Sequence, residues 1–400
     1  MSIKQVKIDS NINQLKEVSN QINNNINNEI NNVETNVDFI DLDIFKKKKE
    51  KKKEINNIPK NINNEINNAK KIEKVQGKYQ EKTIYYDENG EKIAEFFEET
   101  HLLIYYQEMG EGLAPKHCYY RYNPDTKEIK NISIFDEENI RTLQYGAKQE
   151  NFKNYMILMH NNEIVEEMER YYPRSAFETD DDYWYFIGRY FNIIAETGCG
   201  YSASINTIFK EYEGKEDEFR DIFGFDMYDT DNVTGKINFN YELMFLKYFN
   251  YCNAGKYTLK EMGDSAGVSI KDDYKEPASL TSANIKNFDD FLKKEFGVKC
   301  KIKKCKIPDS VDKNDEGINN YLHQQFDEND YIEYCGTGWE LYTMDGQLDD
   351  GRGTGHSLTI VGFTDDNYPI VSSWGKKYIL HIKSDGEESD YRIYKINYND

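Results

Sequence analysis

No run of apolar residues in this sequence approaches the ~20 that a helix needs to cross a bilayer, so no membrane span is expected. The N-terminus lacks the apolar stretch of a cleaved secretory leader, and the expectation is a cytoplasmic protein or one exported without a cleaved signal peptide. Cysteine is sparse: Cys118, Cys199, Cys252, Cys300, Cys305 and Cys335 are scattered, and no CxxC pair occurs. Cys300 and Cys305 lie close together, but no paired His or Cys completes a zinc pattern. Free thiols in a reducing compartment follow, with no metal and no cofactor. Apolar residues are also few, at 38% of 400, with a mean hydropathy of -0.85. A packed globule of this length is ordinarily richer, so part of the chain is expected to be extended, helical or loosely ordered. Positive charge is in deficit, the formal net charge being -21. Such a surface repels phosphate backbones and removes nucleic acid as a default partner.

What is present divides the chain into three stretches. Residues 1–78 are rich in Asn, Ile and Lys and carry fifteen Lys against eleven acids, a net of +4 that leaves -25 for the rest. Ile8, Ile12, Leu15, Ile22, Ile26, Ile30, Val33 and Val37 recur mostly at steps of three and four, as do Ile55, Ile58, Ile62, Ile66, Ala69, Ile72 and Val75. That spacing predicts two amphipathic helices, paired as a hairpin or coiled coil, or ordered by a helical partner or by self-association. The run KKKKEKKK at 46–53 between them reads as a solvated face or linker. Residues 79–175 form a Tyr-rich, β-rich segment. TIYYDENGEKIAEFF at 83–97 reads as two strands about Asn89-Gly90, YYRYNPDTKEIKNISIF at 119–135 as two more about Asn123-Pro124-Asp125, and HLLIYY at 101–106 as another. His101, His117 and Cys118 fall on these strands, where a structural role is the ordinary one and no metal is assigned. DTDNVTG at 229–235 has Gly one place too late for a calcium loop and no closing Glu, so it reads as a turn.

Residues 176–400 combine helices with later strands. YWYFIGRYFNIIAET, TGCGYSASINTIFKEY, FNYELMFLKYFN and NIKNFDDFLKKEF read as helices, and YIEYC, WELYTM, HSLTIVGF, YPIVSSW, KYILHI and YRIYKI as strands. Helices first and strands later in one unit give an α+β architecture.

Two residues stand out chemically. Cys199 is flanked by Gly198 and Gly200 and begins a helix-like stretch. A thiol at a helix N-terminus feels the positive end of the dipole, and the free N–H groups there can hold an oxyanion. His356 is delivered by a glycine-rich loop, GRGTGHSLTIVGF, to the first position of a strand. His160, His323 and His381 have plainer settings, so His356 is the base that a cysteine nucleophile needs.

The segments CGYSASINTIF, HSLTIVGF and YPIVSSWGKKYILHI, in that order over residues 183–400, resemble the papain-like cysteine peptidase superfamily, including the bacterial branch of double-glycine leader peptidases. The resemblance implies a papain-like C-terminal domain, a helical part plus an antiparallel sheet, acting on a protein or peptide substrate. It places Ser372 where the family's Asn orients the imidazole and Trp374 where a Trp covers that contact. It departs at two positions. Ser372 is shorter than Asn, with Asp365, Asp366 and Asn367 as turn-borne substitutes. The family's oxyanion Gln falls on Ile193, with Asn192 one step back as the candidate donor. The expected function is a thiol-dependent amide hydrolase, a cysteine peptidase. The alternatives are a papain-like deamidase or acyltransferase, and a catalytically inactive scaffold that works through its helical region.

Overall fold

The computed structural model describes residues 61–398, apart from 111, 137–143, 254–256, 259–262, 264–266, 272–276, 279–284, 313, 327–330, 353–354 and 383–390. The first predicted helix and the lysine run at 46–53 lie outside the described residues. Within them the chain is a mixture of helices and antiparallel sheet, the α+β class expected. Residues 60–400 form one compact unit.

A short helix, α1 (Ile62–Asn67), buries Ile62 and Ile66 and is followed at once by a strand. The helical spacing expected to continue through Val75 therefore stops at Asn67. Lys71–Gln76 is β1, paired along its whole length with β2 (Glu81–Tyr86). Ile72 and Val75 are β-branched, and six ladder partners outweigh a weak helical pattern. The sheet continues in order through β3 (Lys92–Phe97), β4 (Leu102–Gln107), β5 (Lys116–Asn123) and β6 (Glu128–Lys130). The Asn89-Gly90 turn is used as expected, with Gly90 at φ 79°. At the next turn the Asn123 carboxamide accepts the N–H groups of Asp125 and Thr126. His101 and His117 pack edge-on against Phe96 and Tyr106, and the described residues hold no metal-binding cluster.

Strand character ends at Lys130. Residues 149–171, expected to belong to the β-rich segment, are a 3-10 turn (Gln149–Asn154), α2 (Tyr155–Leu158) and α3 (Asn162–Tyr171). The Asn161 side chain starts α3 by accepting from the N–H groups of Glu163 and Ile164. Next come α4 (Asp180–Thr197), capped by Thr179 with three Asp residues in its first turn, and α5 (Cys199–Glu211). After α6 (Glu216–Phe223), the sequence DTDNVTG forms the turn between β7 (Tyr228–Asp231) and β8 (Lys236–Phe239). There the Asp231 carboxylate accepts from Val233 and Thr234 N–H, so its oxygen is spent on the turn. Helix α7 (Tyr241–Asn253), the two-residue strands β9 (Tyr257–Thr258) and β10 (Pro277–Ala278), and α8 (Phe288–Phe296) complete the middle of the chain.

The last hundred residues build an eight-stranded antiparallel sheet. Its strands are β11 (Lys301–Cys305), β12 (Tyr331–Gly336), β13 (Trp339–Tyr342), β14 (Leu348–Arg352), β15 (His356–Phe363), β16 (Pro369–Ser373), β17 (Lys376–Ile382) and β18 (Tyr391–Asn397). They are ordered β11-β18-β12-β15-β16-β17-β13-β14. The sheet curls: Trp339 on β13, three ladder positions from β15, lies with its ring centroid 5.1 Å from that of His356. Inside the curl, Ile332, Tyr334, Leu358, Ile360, Val371 and Leu380 form a core closed by Ile318 and Leu322 of α9 (Asp315–Gln325).

The outer face of this sheet meets a larger core that holds Ile104 and Ile132 from the first 150 residues together with Phe191, Ile205 and Phe245. The expected division at 175/176 is not a boundary in this packing. Helix α5 runs through the middle, and every residue from Gly200 to Phe209 is buried. On one flank Tyr201 meets the rings of Phe245, Tyr248 and Phe249. On another the Thr359 hydroxyl of β15 donates to the Ala203 carbonyl at 3.0 Å. The helix buries polar Ser202, Ser204, Asn206 and Thr207 only with hydrogen-bond partners, and full burial of side chains such as Ile205 and Ile208 is worth roughly 1.5–3 kcal/mol each.

Candidate active site

Gly198 is the joint between α4 and α5. A Cβ there would lie 2.5 Å from the Ile194 carbonyl oxygen and 2.6 Å from the Phe245 ring, so only glycine permits this approach. The joint places Cys199 at the first position of α5, half-buried, at the end of the helix where N–H groups lack intrahelical partners. The backbone N–H groups of Ser357, the residue after His356, and of Gly200 pull the thiol pKa down. The N-terminal part of α5 and the beginning of β15 therefore lie side by side.

His356 is 6% exposed. Its Nε2 lies 2.8 Å from the Ser373 hydroxyl. The Trp374 indole stacks on it, with centroids 4.4 Å apart and planes 16° from parallel. Trp374 and Gly375 both have positive φ, 47° and 71°, and form the two-residue turn between Ser373 and Lys376, which are paired. A left-handed conformation costs a residue with a Cβ about 1–2 kcal/mol. Stacking on the ring and the seal over a buried imidazole offset that strain.

The expected orienting residue, Ser372, is turned away. Its hydroxyl donates to the Tyr145 carbonyl at 2.6 Å and accepts from the Asn206 carboxamide at 3.4 Å. The cause is the register of β15 against β16. Thr359 lies opposite Ser372 and Ile360 opposite Val371, but beyond Val361 the pairs are Gly362 with Ile370 and Phe363 with Pro369. Val361 is thus the extra residue of a β-bulge. Residues directly opposite share a face, and a one-residue shift exchanges the faces. Without the bulge Ser372 would share the face of His356; with it, Ser373 does.

Asn192, the expected oxyanion donor, is exposed on α4, beside the buried Phe191 and Ile194. Helix α4 continues without a break to Thr197, so Asn192 stays on its solvent side. A buried amide that the sequence reading missed stands beside α5 instead. Gln149 accepts from the Ser202 hydroxyl at 3.4 Å, one turn along from Cys199. Fifty residues separate Gln149 from Cys199, and no local pattern marks it. Its strand of chain, residues 144–149, is fastened to the same region. Tyr145 N–H donates to the Gly375 carbonyl and Ala147 N–H to the Asn206 side chain at 2.7 Å. Gly146, at φ 77°, passes so close to Ser372 that a Cβ would sit 2.5 Å from its hydroxyl.

The electrostatics describe a closed, neutral pair. Burial pushes the Cys199 thiol up, the N–H groups of Ser357 and Gly200 pull it down, and the Glu333 carboxyl adds to the rise. Burial pushes the His356 imidazole down to about 4, opposed by Asp350. Among the described residues no side-chain hydrogen bond joins Cys199 to His356. By strand alternation Ser357 faces α5, whereas His356, like Leu358, faces the inside of the curled sheet. The ring must reach the thiol over the end of the strand. No protein-family model matches the chain, and no curated protein and no solved structure matches it either.

Proposed function

We propose that the chain is a thiol-dependent amide hydrolase, a cysteine peptidase of papain-like type, with Cys199 as nucleophile and His356 as base. One observation carries this reading. A thiol at the tip of a largely buried helix packs against the start of the strand that carries an imidazole, and that imidazole is fixed through Nε2 by Ser373 and covered by Trp374. With Nε2 engaged, Nδ1 serves the thiol. The thiolate attacks a peptide carbonyl, N–H groups at the start of α5 and the Gln149 amide hold the oxyanion, and the imidazolium protonates the leaving amine. Water then opens the thioester. The acceptor decides between this reading and a deamidase or acyltransferase, since the steps up to the thioester are common to all three. Residues 1–78 serve delivery or assembly.

The test uses iodoacetamide at pH 6 on the full chain, followed by mapping of the alkylated cysteines. Cys199 reacts faster than the other five, and His356→Ala removes the advantage. A peptide mixture with and without an added amine then separates hydrolysis from transfer. A second reading has its own support: burial raises the half-buried thiol and lowers the buried imidazole, both toward the neutral forms, and among the described residues no side-chain hydrogen bond joins them. Slow, uniform labelling of all six cysteines with no peptide turnover establishes that reading, an inactive scaffold.

A further inference from the structure

Beneath the Cys199 thiol lies a row of polar side chains that the hydrolytic mechanism does not use. On β12, Glu333 and Cys335 are two residues apart and share one face. On β15, Thr359 and Ser357 stand directly opposite them. Helix α5 covers this face. The Ser204 hydroxyl donates to one Glu333 carboxylate oxygen at 3.0 Å, and the Cys335 thiol donates to the other at 3.2 Å. The Ser357 hydroxyl donates to the Cys335 sulfur at 3.2 Å, and the N–H of the same Ser357 lowers the Cys199 thiol pKa. The two sulfurs thus flank one residue. The register agrees: Ala203, whose carbonyl accepts the Thr359 hydroxyl, and Cys199 are four residues apart on one helix face, about 6 Å along the axis, and from Thr359 to Ser357 the strand advances about 6.7 Å, so Cys199 comes over Ser357, the residue paired with Cys335.

We propose that Cys335 is a resolving thiol for Cys199 and that Glu333 is the base that activates it, so that the two cysteines close into a disulfide when Cys199 is oxidised by a peroxide. In the first step a peroxide transfers one oxygen to the Cys199 thiol, giving the sulfenic acid and, from hydrogen peroxide, water. In the second, the Cys335 sulfur attacks the Cys199 sulfur as its proton passes to Glu333. The S–O bond breaks, and the departing hydroxide takes the proton from Glu333 and leaves as water. Two thiols and one peroxide become one disulfide and two waters.

Each group fits its task. Burial makes Cys335 a poor thiolate by itself, so it needs a base in contact, and Glu333 is hydrogen-bonded to it. Burial also pushes the Glu333 carboxyl up to about 7, near the pH at which a general base is most effective. Among the described residues no cation is hydrogen-bonded to Glu333; its side-chain bonds there are to Ser204 and Cys335. A charged partner would have fixed its ionisation, whereas a hydroxyl and a thiol leave it free to exchange a proton.

The experiment treats the full-length chain with hydrogen peroxide, blocks the remaining thiols and maps the peptides without reduction. A Cys199–Cys335 linked peptide is expected, and dithiothreitol reverses it. In Cys335→Ser the link is absent and dimedone traps the sulfenic acid on Cys199. In Glu333→Gln the link still forms, roughly a hundredfold more slowly, in line with the loss of a positioned base. The wild-type map needs no variant to fold. Sulfinic acid accumulating on Cys199 of the wild type without the link, a link from Cys199 to any other cysteine, or no oxidation of Cys199 overturns the proposal. Since no peptide substrate enters the assay, its outcome is independent of the hydrolase reading.

Discussion

Ser372 and Ser373 are neighbours with one hydroxyl each, nearly equally buried, yet the bulge at Val361 gives them different work, and paired alanine substitutions separate the two. Ser372 loses a 2.6 Å bond to the Tyr145 carbonyl and its acceptance of the Asn206 amide when truncated. Asn206 keeps Thr359, but a buried carbonyl loses its side-chain donor. With each lost buried bond costing about 1–1.5 kcal/mol and an orphaned group adding desolvation, Ser372→Ala should destabilise the unit by about 2–3 kcal/mol. The imidazole should be unchanged. Ser373→Ala removes the single 2.8 Å contact to Nε2 and should cost about 1–2 kcal/mol. It also frees the ring's tautomer, lowering the rate of Cys199 alkylation or of peptide hydrolysis by about tenfold. Urea unfolding gives the first quantity, and NMR of the His356 ring nitrogens together with the alkylation rate gives the second. If Ser372→Ala alters the His356 ring signals while Ser373→Ala leaves them alone, the register argument is wrong and Ser372 is the orienting residue after all.

Two further substitutions test the frame around the site. Gly198→Ala sets a Cβ against the Ile194 carbonyl and the Phe245 ring. It should cost roughly 1–3 kcal/mol by overpacking, read from the urea midpoint, and should shift Cys199 enough to change its alkylation rate. Glu333→Gln tests the buried carboxyl through pH. A carboxyl raised from 4.5 to about 7 contributes stability that is full below 4.5 and lost as pH rises through 7, up to roughly 3 kcal/mol at 1.36 kcal/mol per unit. His356, lowered to about 4, acts in the opposite sense: its contribution is present above 6.5 and lost as pH falls through 4. Wild-type stability measured from pH 4 to 8 should therefore fall toward both ends, the two slopes opposing each other between about 4.5 and 6.5, and Glu333→Gln should abolish the loss on the alkaline side alone.

The strands and helices of residues 176–400 were legible because each carries a strong local signal. HSLTIVGF and KYILHI are β-branched runs, and α4 has an apolar stripe behind a capped acidic first turn. Cys199 and His356 stood out as candidates because glycines isolate them at the ends of elements, and the positions of those ends, at the starts of α5 and β15, are as read. What escaped depends on relations between elements. One inserted residue, Val361, decides which of two serines meets the imidazole, and nothing in SSWG announces it. Gln149 reaches α5 only because the chain at 144–149 is tied to Gly375, Ser372 and Asn206. Glu333 looked like an ordinary strand residue, since a carboxylate at an alternating position normally faces water; here a central helix covers that face. The helix expected through Val75 failed for a related reason: periodicity in a short Ile-rich stretch does not tell a helix from the strand that a neighbouring hairpin recruits.

The resting electrostatics constrain how the site can work. Burial raises the Cys199 thiol and lowers the His356 imidazole to about 4, both against an ion pair, so moving the proton from sulfur to nitrogen is uphill in this state. Burial causes both shifts, so whatever hydrates the imidazole repays both. The cover over that ring is Trp374, held in a left-handed turn that carries its own strain. The neighbouring Gly375 carbonyl is bonded to Tyr145. Displacing the turn breaks that one backbone bond and the stack, relieves about 1–2 kcal/mol of conformational strain and admits water to His356. Activation by a substrate that lifts the 374–375 turn is then energetically cheaper than chemistry in the closed state, and the hydrolase reading requires that the turn open.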